Sequence, residues 1–113
     1  MTKNLYIFRA SAGSGKTRTL VKEYLTLAFE KPGNYGHILA ITFTNKATDE
    51  MKARVVEYLE RLAEGKDEKF ASEILGEMKK RNYYTKDISI SKKASEVLSS
   101  ILHDYSNFNI RLS

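Results

Sequence analysis

The chain reads as an α/β protein, with a partial parallel sheet, flanking helices and a helical second half. Two observations predict this. Leu5-Tyr6-Ile7-Phe8 and Ile38-Leu39-Ala40-Ile41-Thr42-Phe43 are continuous apolar runs rather than alternating ones, as in strands buried on both faces. Between them, Leu20, Val21, Tyr24, Leu25 and Ala28 recur at helical spacing, and Pro32-Gly33-Asn34 closes that helix. Two buried strands joined by one helix form a right-handed βαβ unit, and their strands run parallel.

The remaining elements follow in order. The polar stretch Thr44-Asn45-Lys46 caps a second helix that carries Ala47, Met51, Val55, Leu59 and Leu62 on one face and ends near Gly65. Asp49 and Glu50 fall in its first turn, where the helix dipole favours negative charge. Glu50 and Arg54, at i and i+4, read as a surface ion pair. Beyond Asp67 the pattern changes. Phe70, Ile74, Leu75 and Met78 predict a short amphipathic helix, and Asn82 to Ser91 a polar connection with a local alternation at Ile88 and Ile90. Ser91 then caps a helix striped by Ala94, Val97, Leu98, Ile101, Leu102 and Tyr105. The tail from Phe108 to Ser113 carries no readable pattern. The expected division is a core at 1–65 and a helical segment at 66–113. Only two strands are strong, fewer than a doubly wound domain normally has.

Composition narrows the chemistry. The chain has 113 residues, enough for one domain with a real core. It has no cysteine, which excludes disulfides, thiolate metal sites and cysteine catalysis. His37 and His103 stand far apart, without metal-ligand spacing. The N-terminal apolar run is too short for a signal peptide or a membrane span, so a soluble cytoplasmic protein is expected. A net charge of +5 suits an anionic partner such as nucleotide or nucleic acid.

The motif with the most chemistry is Ala10-Ser11-Ala12-Gly13-Ser14-Gly15-Lys16-Thr17. It fits the phosphate-loop (P-loop) pattern, with Ala10 where glycine is usual. Small residues let backbone wrap a phosphate, and the amides from Gly13 to Thr17 can point at its oxygens. The following helix turns its positive end toward the same anion. Lys16 would meet the β- and γ-phosphates, and the Thr17 hydroxyl would ligate Mg²⁺. Arg18, next in the chain, stands within reach of a nucleotide or of solvent. The expected ligand is a nucleoside triphosphate with Mg²⁺.

A second constellation is Thr42-Phe43-Thr44-Asn45-Lys46-Ala47, followed by Glu50-Met51 and Arg54. With the phosphate loop, it resembles superfamily 1 DNA helicases of the UvrD/Rep/RecB-like group, over residues 5 to about 56. That resemblance implies a RecA-like motor domain of the P-loop NTPase kind, which couples ATP hydrolysis to movement on single-stranded DNA. It makes Thr42, Phe43, Thr44 and Asn45 candidates for contact with the DNA backbone. Polar side chains and a helix N-terminus at a strand's carboxyl end suit phosphate in any case. Capping of the helix by Thr44 or Asn45 is the simpler alternative, and the two roles are compatible. Tyr83 and Tyr84 beside Lys79, Lys80 and Arg81 form a basic-aromatic cluster that fits either a DNA contact or a solvated helix end.

The sequence departs from the family in two places. The chain contains no glutamine, so nothing upstream of the loop is available to read adenine in the family's manner. Asp49-Glu50 and Asp67-Glu68 are its adjacent acid pairs of the Asp-Glu type, and neither follows a buried strand, where the family holds its catalytic acids. The expectation is therefore a piece of the first motor domain, whose partners would include the rest of the helicase or a nuclease subunit, and whose open sheet would favour self-association. Two other readings stay open: a small P-loop kinase, and a nucleotide-binding fragment with no turnover.

Overall fold

The structure is a computed structural model that describes residues 6–10, 16–30, 38–42, 45–82, 89–105, 108 and 110–112. Strand β1 (Tyr6–Ala10) leads to α1 (Lys16–Ala28), and β2 (Ile38–Thr42) leads to α2 (Asn45–Ala63). Helices α3 (Glu68–Lys80) and α4 (Ile90–His103) follow, and β3 (Ile110–Leu112) ends the series. The strands pair in parallel in the order β1-β2-β3.

The fold class expected from sequence needs correction. Helices of 13, 19, 13 and 14 residues outweigh strands of 5, 5 and 3. The core formed by the described side chains is helix on helix, not the helix-on-sheet core of an α/β P-loop domain. Val21, Tyr24 and Leu25 of α1 join Val55 and Leu59 of α2, Phe70 and Ile74 of α3, and Ala94, Val97 and Ile101 of α4 in one cluster. The physical reason is length: three- and five-residue strands offer little face to cover, while four amphipathic helices must bury theirs against one another. The second half is also not wholly helical, because its tail adds β3 beside β2.

Local chemistry explains where the helices start and stop. Helix α2 ends in a Schellman motif: Lys66 N–H donates to the Arg61 carbonyl at 2.9 Å and Gly65 N–H to the Leu62 carbonyl at 3.0 Å. Gly65 supplies the left-handed residue this needs, at φ +72. Asp67 caps α3 by accepting from the Phe70 amide at 3.2 Å. Asn82, at φ 61, closes α3 in the left-handed region that asparagine tolerates.

Five local expectations change. Helix α4 is capped by Ser89, whose hydroxyl accepts from the Lys92 amide at 3.2 Å. Ser91 instead donates to the Ala63 carbonyl at 2.7 Å, tying the start of α4 to the end of α2. Ile90, read as part of a loop, is the first residue of α4 and is buried. The stripe on α4 is shorter than its spacing suggests: the helix ends at His103, Leu102 remains 63% exposed, and Tyr105, beyond the helix, 49%. Because α2 begins at Asn45, its first turn holds no acid, and Asp49 and Glu50 fall in the second. Arg54 pairs with Glu57 at 3.6 Å, one turn beyond it rather than one before.

Candidate functional site

The sheet register brings the two sequence motifs together. Ala10, where the first motif begins, is the Cα partner of Thr42, where the second motif begins. Both lie at the carboxyl end of their strands, and Leu112 of β3 pairs with Thr42 from the other side. Helix α1 starts at Lys16 and α2 at Asn45, each within a few residues of those strand ends. Two helix N-termini therefore follow adjacent parallel strands, the place where open parallel sheets commonly hold anionic ligands.

The candidate residues divide as follows. Ala10 and Thr42 close β1 and β2, and Lys16 and Thr17 are the first two residues of α1. Asn45 is the first residue of α2, with its side chain exposed. Ser11, Ala12, Gly13, Ser14, Gly15, Phe43 and Thr44 lie outside the described residues, as do Tyr83 and Tyr84. Lys79, Lys80 and Arg81 are exposed at the end of α3. Lys80 approaches Glu77 at 3.6 Å and Arg81 approaches Glu23 at 4.0 Å.

Arg18 has a definite partner. Its Nη1 and Nη2 donate to Glu73 Oε1 and Oε2 at 2.9 and 2.7 Å, a bidentate pair across 55 residues of sequence. Lys22 Nζ shares Oε1 at 3.4 Å. The hydrogen bonds from Arg18 hold the Glu73 carboxyl well below the usual carboxylate range, at about 2, and Glu73 in turn raises the Arg18 pKa. The guanidinium also lies over the Phe70 ring at 4.9 Å. Phe70 is stacked at 4.4 Å on Tyr58, which carries Arg61 at 4.6 Å. Glu73 was not a sequence candidate. Its place beside the apolar stripe of α3 marks it as a half-buried acid, but a partner so distant leaves no local signal.

Neither acid pair sits at a strand end. Asp49-Glu50 occupies the second turn of α2, and Asp67-Glu68 is the cap and first residue of α3. Among the described residues no cluster of His, Asp or Glu could hold a metal, and no helix is long and apolar enough to cross a membrane.

The chain belongs to the UvrD/REP helicase N-terminal domain family, whose model matches residues 1–112. Among curated proteins, it is 54% identical over 54 residues to an ATP-dependent DNA helicase PcrA of Staphylococcus epidermidis, a match covering 48% of this chain and 7% of that protein. A PcrA of Staphylococcus aureus is 50% identical over the same length, with the same shares covered. The match thus spans a small part of those relatives' length. No solved structure matches the chain.

Proposed function

We propose that this chain is the ATP-binding front portion of an ATP-dependent DNA helicase, which couples ATP hydrolysis to translocation along single-stranded DNA. The observation that carries the reading is the family match over residues 1–112, together with the phosphate-loop sequence between a strand end and a helix start. In this reading the backbone from Ala10 to Gly15 cradles the phosphates. Lys16 neutralises the outer two, Thr17 ligates Mg²⁺, and Arg18 lies at the margin of the nucleotide. Thr42, Phe43, Thr44 and Asn45 meet the DNA backbone. The register pairing of Ala10 with Thr42 supports coupling between nucleotide and DNA, because each motif continues from a neighbouring strand.

Turnover needs more than these parts. An attacking water must be held in line, and charge on the transferring phosphate must be stabilised. Arginines of the latter kind are worth about 10³–10⁵ in rate in related phosphoryl transfers. The 113 residues alone therefore bind Mg·ATP weakly and hydrolyse it negligibly, with or without single-stranded DNA. A DNA-stimulated ATPase assay on this chain and on a longer gene product tests the reading. Activity confined to the longer product supports it. DNA-stimulated turnover near one per second by this chain, lost on Lys16→Ala, would show that a catalytic acid lies within it. Phosphate transfer to a metabolite with no response to DNA would favour a small kinase instead.

A further inference from the structure

Helix α1 begins with an electrostatic problem. Its first turn contains no acid, while Lys16, Arg18 and Lys22 all fall within its first two turns. The N-terminus of a helix is the positive end of its dipole, and cations there disfavour the turn they sit on. A bound phosphate would relieve this, but only once ligand is present. Glu73 supplies a negative charge from outside the helix. Its carboxylate meets Arg18 through both oxygens and Lys22 through one, and Phe70 from the same helix lies against the guanidinium plane.

We propose that Glu73 is a positioning residue for the phosphate-loop helix, reaching across from α3 to supply the anion that the first turn of α1 lacks and so keeping that turn formed before nucleotide arrives. Glu73 acts through Arg18 and touches no ligand. The carboxyl stays ionised to about pH 2, so it can serve at any ordinary pH. The inference rests on the nucleotide reading of Lys16 and Thr17, and it gives α3 a part in that site.

Simple charge counting predicts the opposite effect on ligand. Removing a carboxylate near an anion site should tighten anion binding, whereas removing a positioning residue should weaken it. The sign of the change therefore discriminates. The test is Mg·ATP titration by calorimetry on the chain and its Glu73→Gln, Glu73→Asp, Arg18→Ala and Arg18→Ala/Glu73→Gln variants. Each is paired with amide exchange at Thr19 and Leu20, the first amides the helical ladder can bond. Thermal unfolding confirms that each variant is folded.

Glu73→Gln should bind Mg·ATP roughly threefold to tenfold more weakly, the scale of one helix-terminus charge. Its Thr19 and Leu20 amides should exchange faster without ligand and return toward wild type at saturation. Glu73→Asp should recover part of the loss, and the double variant should bind no worse than Arg18→Ala. Equal or tighter binding by Glu73→Gln overturns the proposal. So does a loss that persists undiminished on the Arg18→Ala background, which would reduce Glu73 to a support of α3. If the wild-type chain fails to bind Mg·ATP, the nucleotide reading falls. The exchange comparison then decides on Glu73: faster exchange in Glu73→Gln upholds its hold on the turn, and unchanged exchange overturns it.

Discussion

At the scale of single residues, the sequence shows a residue's type and its periodicity but not its distant partner. Arg18 stands next to the phosphate loop, so its position suggested nucleotide or solvent; its bond to Glu73 depends on how α1 and α3 cross. The pH dependence of that pair has a definite sign. The folded Glu73 pKa is depressed from 4.5 to about 2. Its contribution is complete above the unfolded value and is lost as pH falls through the folded one. The stability gap between wild type and Glu73→Gln, followed by thermal unfolding, should therefore be constant near neutrality and shrink between pH 4.5 and about 2. A gap that grows over that window would contradict the assigned state. The pair keeps side-chain exposures of 41% and 28%, so added salt should also narrow the gap. Gly65 gives a second residue-scale prediction. Nothing lies within 4 Å of where its Cβ would stand, but its φ of +72 is one that side chains resist. Gly65→Ala should cost about 1 kcal/mol through backbone strain alone, read as a lowered urea midpoint with unchanged slope.

At the scale of elements, periodicity located the helices well and their ends less well. Val21, Tyr24 and Leu25, then Met51, Val55, Leu59 and Leu62, then Phe70, Ile74 and Met78 were all legible as buried faces, and all are buried. Ends depend on competing caps. Ser89 and Ser91 are chemically equal candidates, and the choice fell to Ser89 because Ser91 satisfies the Ala63 carbonyl at the end of α2. Strand β3 was illegible for a different reason: three residues are too few for any period, and pairing with β2 is a long-range event. Phe70 joins three helices. It is fully buried and lies against Arg18 of α1 and Tyr58 of α2. Phe70→Ala should destabilise the chain by about 3–5 kcal/mol, and loosen Arg18 at the same time. A loss under 1 kcal/mol in chemical denaturation would mean that α3 is not integral to the core.

At the scale of the whole molecule, helix dominates where the sequence suggested a partial sheet with flanking helices, because the four amphipathic helices bury their apolar faces against one another. In the order β1-β2-β3, β1 and β3 are the outer strands, and among the described residues no further strand covers either. Unpaired strand edges template association, and Leu102 of α4 and Tyr105 just beyond it add exposed apolar surface. The chain should self-associate with rising concentration, one route being exchange of α4. Light scattering that reports a monomer throughout would contradict this. What the sequence made legible of the site was its motifs, and what the structure adds is their adjacency at Ala10 and Thr42. The central claim, that this end of the sheet binds nucleotide through its outer phosphates, is tested most directly by titrating the chain and its Lys16→Ala variant with Mg·ATP and with AMP. The variant should lose affinity for ATP far more than for AMP, because the Lys16 ammonium meets the β- and γ-phosphates that AMP lacks. Equal losses for the two ligands, or none for either, would contradict it.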